Sequence, residues 1–309
     1  MVDDVFLVVD KPQGLTSQQV VARVKRQLKC RKVGHTGTLD PLATGVLPLA
    51  LNRATRLIQY LDESRKVYSG EIELGVESDT LDRDGEIIAQ HTGTLDYSER
   101  KIADVFERYL GSVTQVPPVY SAIKSKGRPL YSYARSGIEV TPPERQVEIE
   151  SFTLLSYKPP LVEFRVVCSK GTYVRSLAAD IGRDLGCGAR IWSLRREASG
   201  PFLLDQAISL DELLEKSSAH ESLPLRYPLE FLDHLQSLVV GDPKMKNRIA
   251  HGMTLPLDKI AIPSAGVEAE SEVVLVDEVG TLLALARYEL NKDGLGKELR
   301  MVRVMMPQV

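Results

Sequence analysis

The chain has 309 residues, 43% of them hydrophobic and 26% charged, with a net charge of −3: enough for a core in one large domain plus a small one, or in two ordinary domains. No apolar run approaches a membrane span, and the opening MVDDVFLVVD carries acids where a secretory leader needs cations, so a cytoplasmic protein is expected. Cys30, Cys168 and Cys187 are scattered with no CxxC pair, which argues against a disulfide framework and a cysteine zinc site.

The slightly acidic total hides an uneven distribution. Residues 1–67 carry eleven Lys/Arg against six acids, whereas residues 68–90 carry seven acids and only Arg83. A cationic front segment can attract a polyanion despite the overall sign.

In chain order, VFLVVD (5–10) reads as a strand, stopped by Lys11-Pro12 and a turn at Gly14. Thr16-Ser17 offers an N-cap to a helix whose Val20, Val21, Val24 and Leu28 share a face. A loop, GHTGTLDPLATG (34–45), precedes the apolar stretch VLPLALNRATRLIQYL. YSGEIELGV (68–76) alternates as a half-buried strand with Tyr68 on the apolar side, and SERKIADVFERYL (98–110) is an amphipathic helix.

Residues 115–145, with five prolines among basic residues and tyrosines, read as an irregular excursion with a short helix near YSYARSG. LVEFRVVCSKG (161–171) is a strand; Val174, Leu177, Ile181 and Leu185 then repeat at helical spacing until Gly186. SLDELLEK (209–216) has a capping-box spacing. Beyond about residue 235, strand-like runs separated by Gly, Pro and Glu suggest a second, small β-rich domain.

Asp40 is the one acid in the 34–45 loop. Pro41 restricts it to extended backbone, and the glycines at 34, 37 and 45 permit turns other residues resist. Such a carboxylate suits a nucleophile, an acid–base group, a metal ligand or a plain Asx turn. The loop lacks the GxxxxGK[ST] phosphate pattern, and DTLDRDGEI (79–87) fails as a calcium loop, leaving a tight acidic turn. The five histidines have no zinc spacing. On residue type alone, Arg175 in KGTYVRSL is a surface arginine off the core face of its helix, and Arg195 and Arg196 are two solvated cations beside a structural Leu194.

Six blocks taken together resemble the TruB family of bacterial tRNA pseudouridine-55 synthases: DKPQGLTS, GHTGTLDPLATG, KVYSGEIELG, PPVYSAIKSKG, CSKGTYVRSLAADIG and LRREASGPF, in the family's order across residues 5–205. After residue 235 only SLVVGD…IAHGMTL and the final strands resemble a PUA-type RNA-binding domain. The resemblance implies a mixed α/β (α+β) fold: a pseudouridine-synthase core around an antiparallel sheet over residues 1–235, with 115–145 as an RNA-gripping insertion, and a PUA-like unit over 236–309.

The implied reaction is isomerisation of uridine 55 in the tRNA T-loop. The C1′–N1 bond breaks, the base rotates and C1′ bonds to C5; no atom is gained or lost, and no cofactor or metal is needed. By resemblance, Asp40 is the nucleophile and Arg175 its partner. Tyr68 stacks on the flipped base and serves in C5 proton removal, Tyr173 and Leu194 line the uracil pocket, and His35 fills the space the flipped base leaves. Tyr120, Lys124, Lys126, Arg128 and Arg135 are candidate RNA contacts as a group. The expected partner is the tRNA T-arm, with no membrane, no obligatory protein partner and a monomeric chain. A non-catalytic tRNA-binding or tRNA-folding protein on the same scaffold is the alternative. A glycosidase is disfavoured because no second acid in the matched blocks stands out as a catalytic partner for Asp40.

Overall fold

Phe6–Lys11 (β1) is apolar at every position from Val5 to Val9, and such a run needs cover on both faces. It has it. Val5, Leu7 and Val9 enter the main core, while Phe6 and Val8 enter a second one on the opposite side. The computed structural model describes residues 4–61, 65–121, 123–125, 127–138, 140–256, 270–290 and 297–306.

Thr16 caps the helix Ser17–Gln27 (α1) with a complete capping box to Gln19, and Val20, Val21 and Val24 turn inward. Next come Thr44–Leu51 (β2), two short 3₁₀ turns, and Arg65–Leu74 (β3). Glu99–Glu107 (α2) is capped by Ser98 and is shorter than its amphipathic pattern, which continues into turns. Gly111–Gln115 (β4), Arg145–Lys158 (β5) and Leu161–Ser169 (β6) follow. Val174–Leu185 (α3) ends at Gly186 in the left-handed conformation, φ 79°, and leads to Ala189–Ser199 (β7).

The main sheet runs β1-β2-β7-β3-β6-β5-β4, with short strands completing its edges. It is largely antiparallel; β2 and β7 are a parallel pair. Helices α1, α2 and α3 contribute to one core, with Ile102, Val105 and Phe106 from α2 and Val174, Leu177, Ala178, Ile181 and Leu185 from α3. Phe106 stacks on Phe152 at 3.8 Å, and each such buried ring contributes roughly 2–3 kcal/mol. The long strand β5 has no counterpart among the predicted elements. Register shifts at Ile149/Ser151 and Leu154/Ser156 break the period-two signal that would reveal it.

A five-stranded sheet of Gln236–Val239 (β8), Glu272–Val276 (β9), Leu282–Leu290 (β10), Lys297–Val304 (β11) and the short Leu255–Pro256 forms the C-terminal part. Val274, Leu285 and Met305 pack it against Phe6, Phe202 and Phe231 on the far side of β1. The architecture is the mixed α/β fold with a small β-rich C-terminal unit expected from the sequence. Among the described residues, no helix is long and apolar enough to cross a membrane.

Candidate active site

The glycine-rich loop is packed into place. Leu39, Leu42 and Ala43 are buried in the main core. Ser17, on the first turn of α1, clasps Leu39 from both sides, accepting from its N–H at 2.8 Å and donating to its carbonyl at 3.0 Å. Gly45, φ +100°, admits no side chain, because a Cβ there would lie 2.2 Å from the Arg196 carbonyl.

Two buried cations hold the rest of the loop, and both escape the sequence reading. Arg196 is 1% exposed. Its Nε donates to Val46 O at 2.8 Å, its Nη2 to Gly37 O at 3.1 Å and its Nη1 to Thr38 O at 3.4 Å. The expectation of two solvated arginines is therefore wrong: Arg196 is a core clamp, and Arg195 pairs with Asp10 at 2.6 Å. Strand alternation was the available signal, since a buried Leu194 puts residue 196 on the same face.

Lys11 is fully buried, and its Nζ donates to Leu15 O, Pro12 O and Pro41 O at 2.7, 2.9 and 3.3 Å. Burial pushes its ammonium down to about 8, with Asp40 opposing and Arg196 assisting that shift. Above that pH the neutral amine has two N–H groups for three carbonyls, so turnover should fall. An unfolded lysine titrates near ~10.4, so between the two values the unfolded chain binds more protons, and this group favours the fold as pH rises. An alkaline activity loss without loss of thermal stability is the expected pair of results. Lys11→Met should lower stability by roughly 2–3 kcal/mol in urea denaturation; an unchanged midpoint would contradict the clamp.

Asp40 then projects into a cavity of about 340 Å³, whose wall includes Tyr68, Tyr173, Arg175, Leu194 and Arg196. Arg175 is buried, not superficial as its helical position suggests: its Nε lies 2.9 Å from Asp40 Oδ2. Its Nη1 donates to Thr80 O at 2.9 Å and meets Asp82 Oδ2 at 3.4 Å, and its Nη2 donates to Tyr120 O at 3.0 Å. Asp82, 5% exposed, is the second carboxylate that the sequence reading did not find. It belongs to the acidic turn, where Thr80 Oγ1 donates to it at 2.6 Å and Asp84 N–H at 3.1 Å. Burial raises its carboxyl, against the pull of those donors and of Arg175. One guanidinium thus joins two acids from separate loops.

Burial also raises the phenols of Tyr68 and Tyr173 above their ordinary range. The neighbouring Arg196 lowers Tyr68, and Arg145 lowers Tyr173, in part only. Both therefore stand as neutral phenols at neutral pH. Leu194 is 9% exposed and gives the wall its apolar surface. Of the sequence-predicted site residues, Asp40, Tyr68, Tyr173, Arg175 and Leu194 meet at this cavity. His35 does not line it. It sits at the loop's entrance on the short strand Val33–His35, with Nε2 3.4 Å from the Gln18 amide and Nδ1 buried without a partner among the described residues. Burial and then Arg196 lower its pKa, keeping it neutral.

In the excursion, Arg128 is exposed and its guanidinium lies 5.8 Å from the Tyr133 ring centroid. Lys126, and the side chains of Lys124 and Arg135, lie outside the described residues.

The same architecture occurs in solved protein and RNA–protein complexes. A chain in a Cbf5–Nop10–Gar1 complex superposes with TM-score 0.72 at 28% identity, covering 99% of this chain and 86% of that one. A chain of an H/ACA ribonucleoprotein bound to a substrate RNA containing 2′-deoxyuridine gives 0.70 at 27% identity, covering 98% and 86%. Fold and sequence relatives define a pseudouridine synthase. The model of the TruB family pseudouridylate synthase N-terminal domain matches residues 25–174, and that of the tRNA pseudouridylate synthase B C-terminal domain matches 175–238. Proteins named tRNA pseudouridine synthase B are 46% identical in Geobacter sulfurreducens (81% of this chain, 85% of that one) and 41% identical in Geotalea uraniireducens (97% of each). The chain belongs to the TruB family of pseudouridine synthases.

Proposed function

We propose that this chain converts uridine 55 in the T-loop of tRNA to pseudouridine, with Asp40 as the nucleophile acting on a flipped-out nucleotide. The observation that carries this reading is the Asp40 carboxylate held 2.9 Å from the buried Arg175 guanidinium, at the wall of a cavity that also presents Tyr68, Tyr173 and Leu194. A T-loop uridine is stacked and unreachable until extruded, and such an extruded nucleoside needs a pocket with one apolar wall and polar groups at its edge.

Asp40 takes part in breaking the C1′–N1 bond and making the C1′–C5 bond. Arg175 orients it. Tyr68, entering as a neutral phenol, stacks on the uracil and assists in removing the C5 proton, and Tyr173 and Leu194 hold the ring between a polar edge and an apolar surface. His35, neutral and flat at the loop's entrance, fills the gap the flipped base leaves. Residues 1–235 form the synthase unit, 115–145 grips the T-arm, and 236–309 is a PUA-like unit that adds RNA contacts. The relatives named for tRNA support the substrate.

The solved neighbours sit in assemblies with partner proteins, whereas we propose that this chain acts alone, as a cytoplasmic monomer with no cofactor. Purified protein incubated with an unmodified tRNA transcript, and nothing else, should yield pseudouridine at position 55. A transcript with cytidine there should yield none, and failure to convert the first transcript rejects the proposal.

A further inference from the structure

Gln115 ends β4, Arg145 begins β5, and the two are cross-strand partners, so residues 116–144 leave and re-enter the sheet at this one pair. Both side chains turn to the same residue. The Gln115 amide, 2% exposed, forms a two-point clasp on the backbone of Tyr173: its Oε1 accepts from Tyr173 N–H at 2.8 Å and its Nε2 donates to Tyr173 O at 3.0 Å. The Arg145 guanidinium lies 5.7 Å from the Tyr173 ring centroid. One helical turn further on, Ser176 Oγ donates to Val116 O at 2.8 Å and Arg175 Nη2 donates to Tyr120 O at 3.0 Å. The first turn of α3, which supplies the pocket wall and the partner of Asp40, is therefore tied to the root of the insertion at Gln115, Val116, Tyr120 and Arg145.

In place of Gln115, an apolar side chain would fill the space, but would leave the Tyr173 N–H without its acceptor and Tyr173 O with the Leu177 N–H as its remaining donor. We propose that Gln115 is a positioning residue for the isomerisation: it locks the Tyr173 backbone to the root of the insertion, so that a polynucleotide gripped there sets the base-pocket wall and the adjoining Arg175 for reaction. This rests on the synthase reading above. The chemistry stays with Asp40, while Gln115 fixes the distance between the group that binds RNA and the group that meets the base.

Gln115→Glu separates a positioning role from a merely structural one. A protonated glutamic acid reproduces both contacts, its O–H donating to Tyr173 O and its C=O accepting from Tyr173 N–H. An ionised one keeps the acceptor for Tyr173 N–H but sets its other carboxylate oxygen, an acceptor, against Tyr173 O. Burial raises a carboxyl's pKa, which brings the change into the working range. In the full chain, with saturating tRNA transcript, the single-turnover rate of Gln115→Glu should be on the order of tenfold below wild type at about pH 8 and within about twofold of it at about pH 6. Transcript affinity should stay within about twofold throughout, and Gln115→Leu should be slow at both pH values. If Gln115→Leu does not fold, the pH dependence of Gln115→Glu decides alone. A rate ratio that does not change with pH, a loss confined to affinity, or a loss that follows the folded fraction seen by circular dichroism overturns the inference while leaving the synthase reading intact. Absence of product from wild type overturns both.

Discussion

Asp40→Asn is expected to bind the tRNA transcript within a few-fold of wild type and to lose turnover by at least roughly 10⁴-fold, the scale on which single catalytic groups act. The substitution is close to isosteric, and the asparagine carbonyl can still accept from Arg175 Nε, so the loop, the cavity and the Arg175–Asp82 contact should persist. What disappears is the negative charge and with it the proposed nucleophile. Alanine would be a poorer test, because it removes the contact to Arg175 together with the chemistry. Pseudouridine formation and transcript binding measured on the same preparation separate the two. An Asn variant retaining a tenth of wild-type turnover would remove Asp40 from the reaction and return the chain to a binding or folding role.

Helix α3 shows how much the sequence discloses. Val174, Leu177, Ile181 and Leu185 announce its buried face and Gly186 its end, and both are found as read. The same periodicity placed Arg175 off the core, because a helical wheel knows only the sheet the helix packs on. The neighbours that bury Arg175 are Thr80, Asp82, Tyr120 and Asp40, all from loops far away in sequence. Asp82 failed to register for the same reason: an acid in a turn is ordinarily solvated, whereas this one is buried, its backbone bridged to Ile191 and its carboxylate meeting Arg175.

Arg196 was closer to legible, since alternation from Leu194 points it inward. A buried guanidinium gripping carbonyls is nevertheless rare enough that composition argues against it, and a register shift just beyond it blurs the alternation. The loop of Asp40, the proposed nucleophile, was found by its motif, whereas the clamps that hold it, Lys11, Ser17 and Arg196, act on backbone carbonyls and N–H groups that carry no sequence signature.

Arg175→Met should reduce turnover by roughly 10²–10³-fold, the range for removing one preorganised electrostatic partner at a reacting centre, with a smaller loss of RNA affinity. It should also destabilise the fold, and in a pH-dependent way. Methionine fills the guanidinium's volume but leaves Asp82 with Thr80 Oγ1 and the Asp84 N–H as its donors, and breaking a buried ion pair from one side costs about 3–5 kcal/mol. The Asp82 carboxyl is already raised by burial, and without Arg175 it rises further.

A folded-state pKa above the unfolded value means that the folded chain holds the proton more tightly, so this group's contribution is most favourable at low pH and is lost as pH rises through that interval. The deficit of Arg175→Met against wild type should therefore be small near about pH 5 and grow towards about pH 8, as read from urea midpoints. The Arg175→Met/Asp82→Asn double variant removes the stranded charge and should recover most of the stability at about pH 8 while turnover stays low, because Asp40 still lacks its partner. A deficit equal at both pH values would mean that Asp82 carries no stranded charge. Restored turnover in the double variant would mean that Arg175 serves the fold alone.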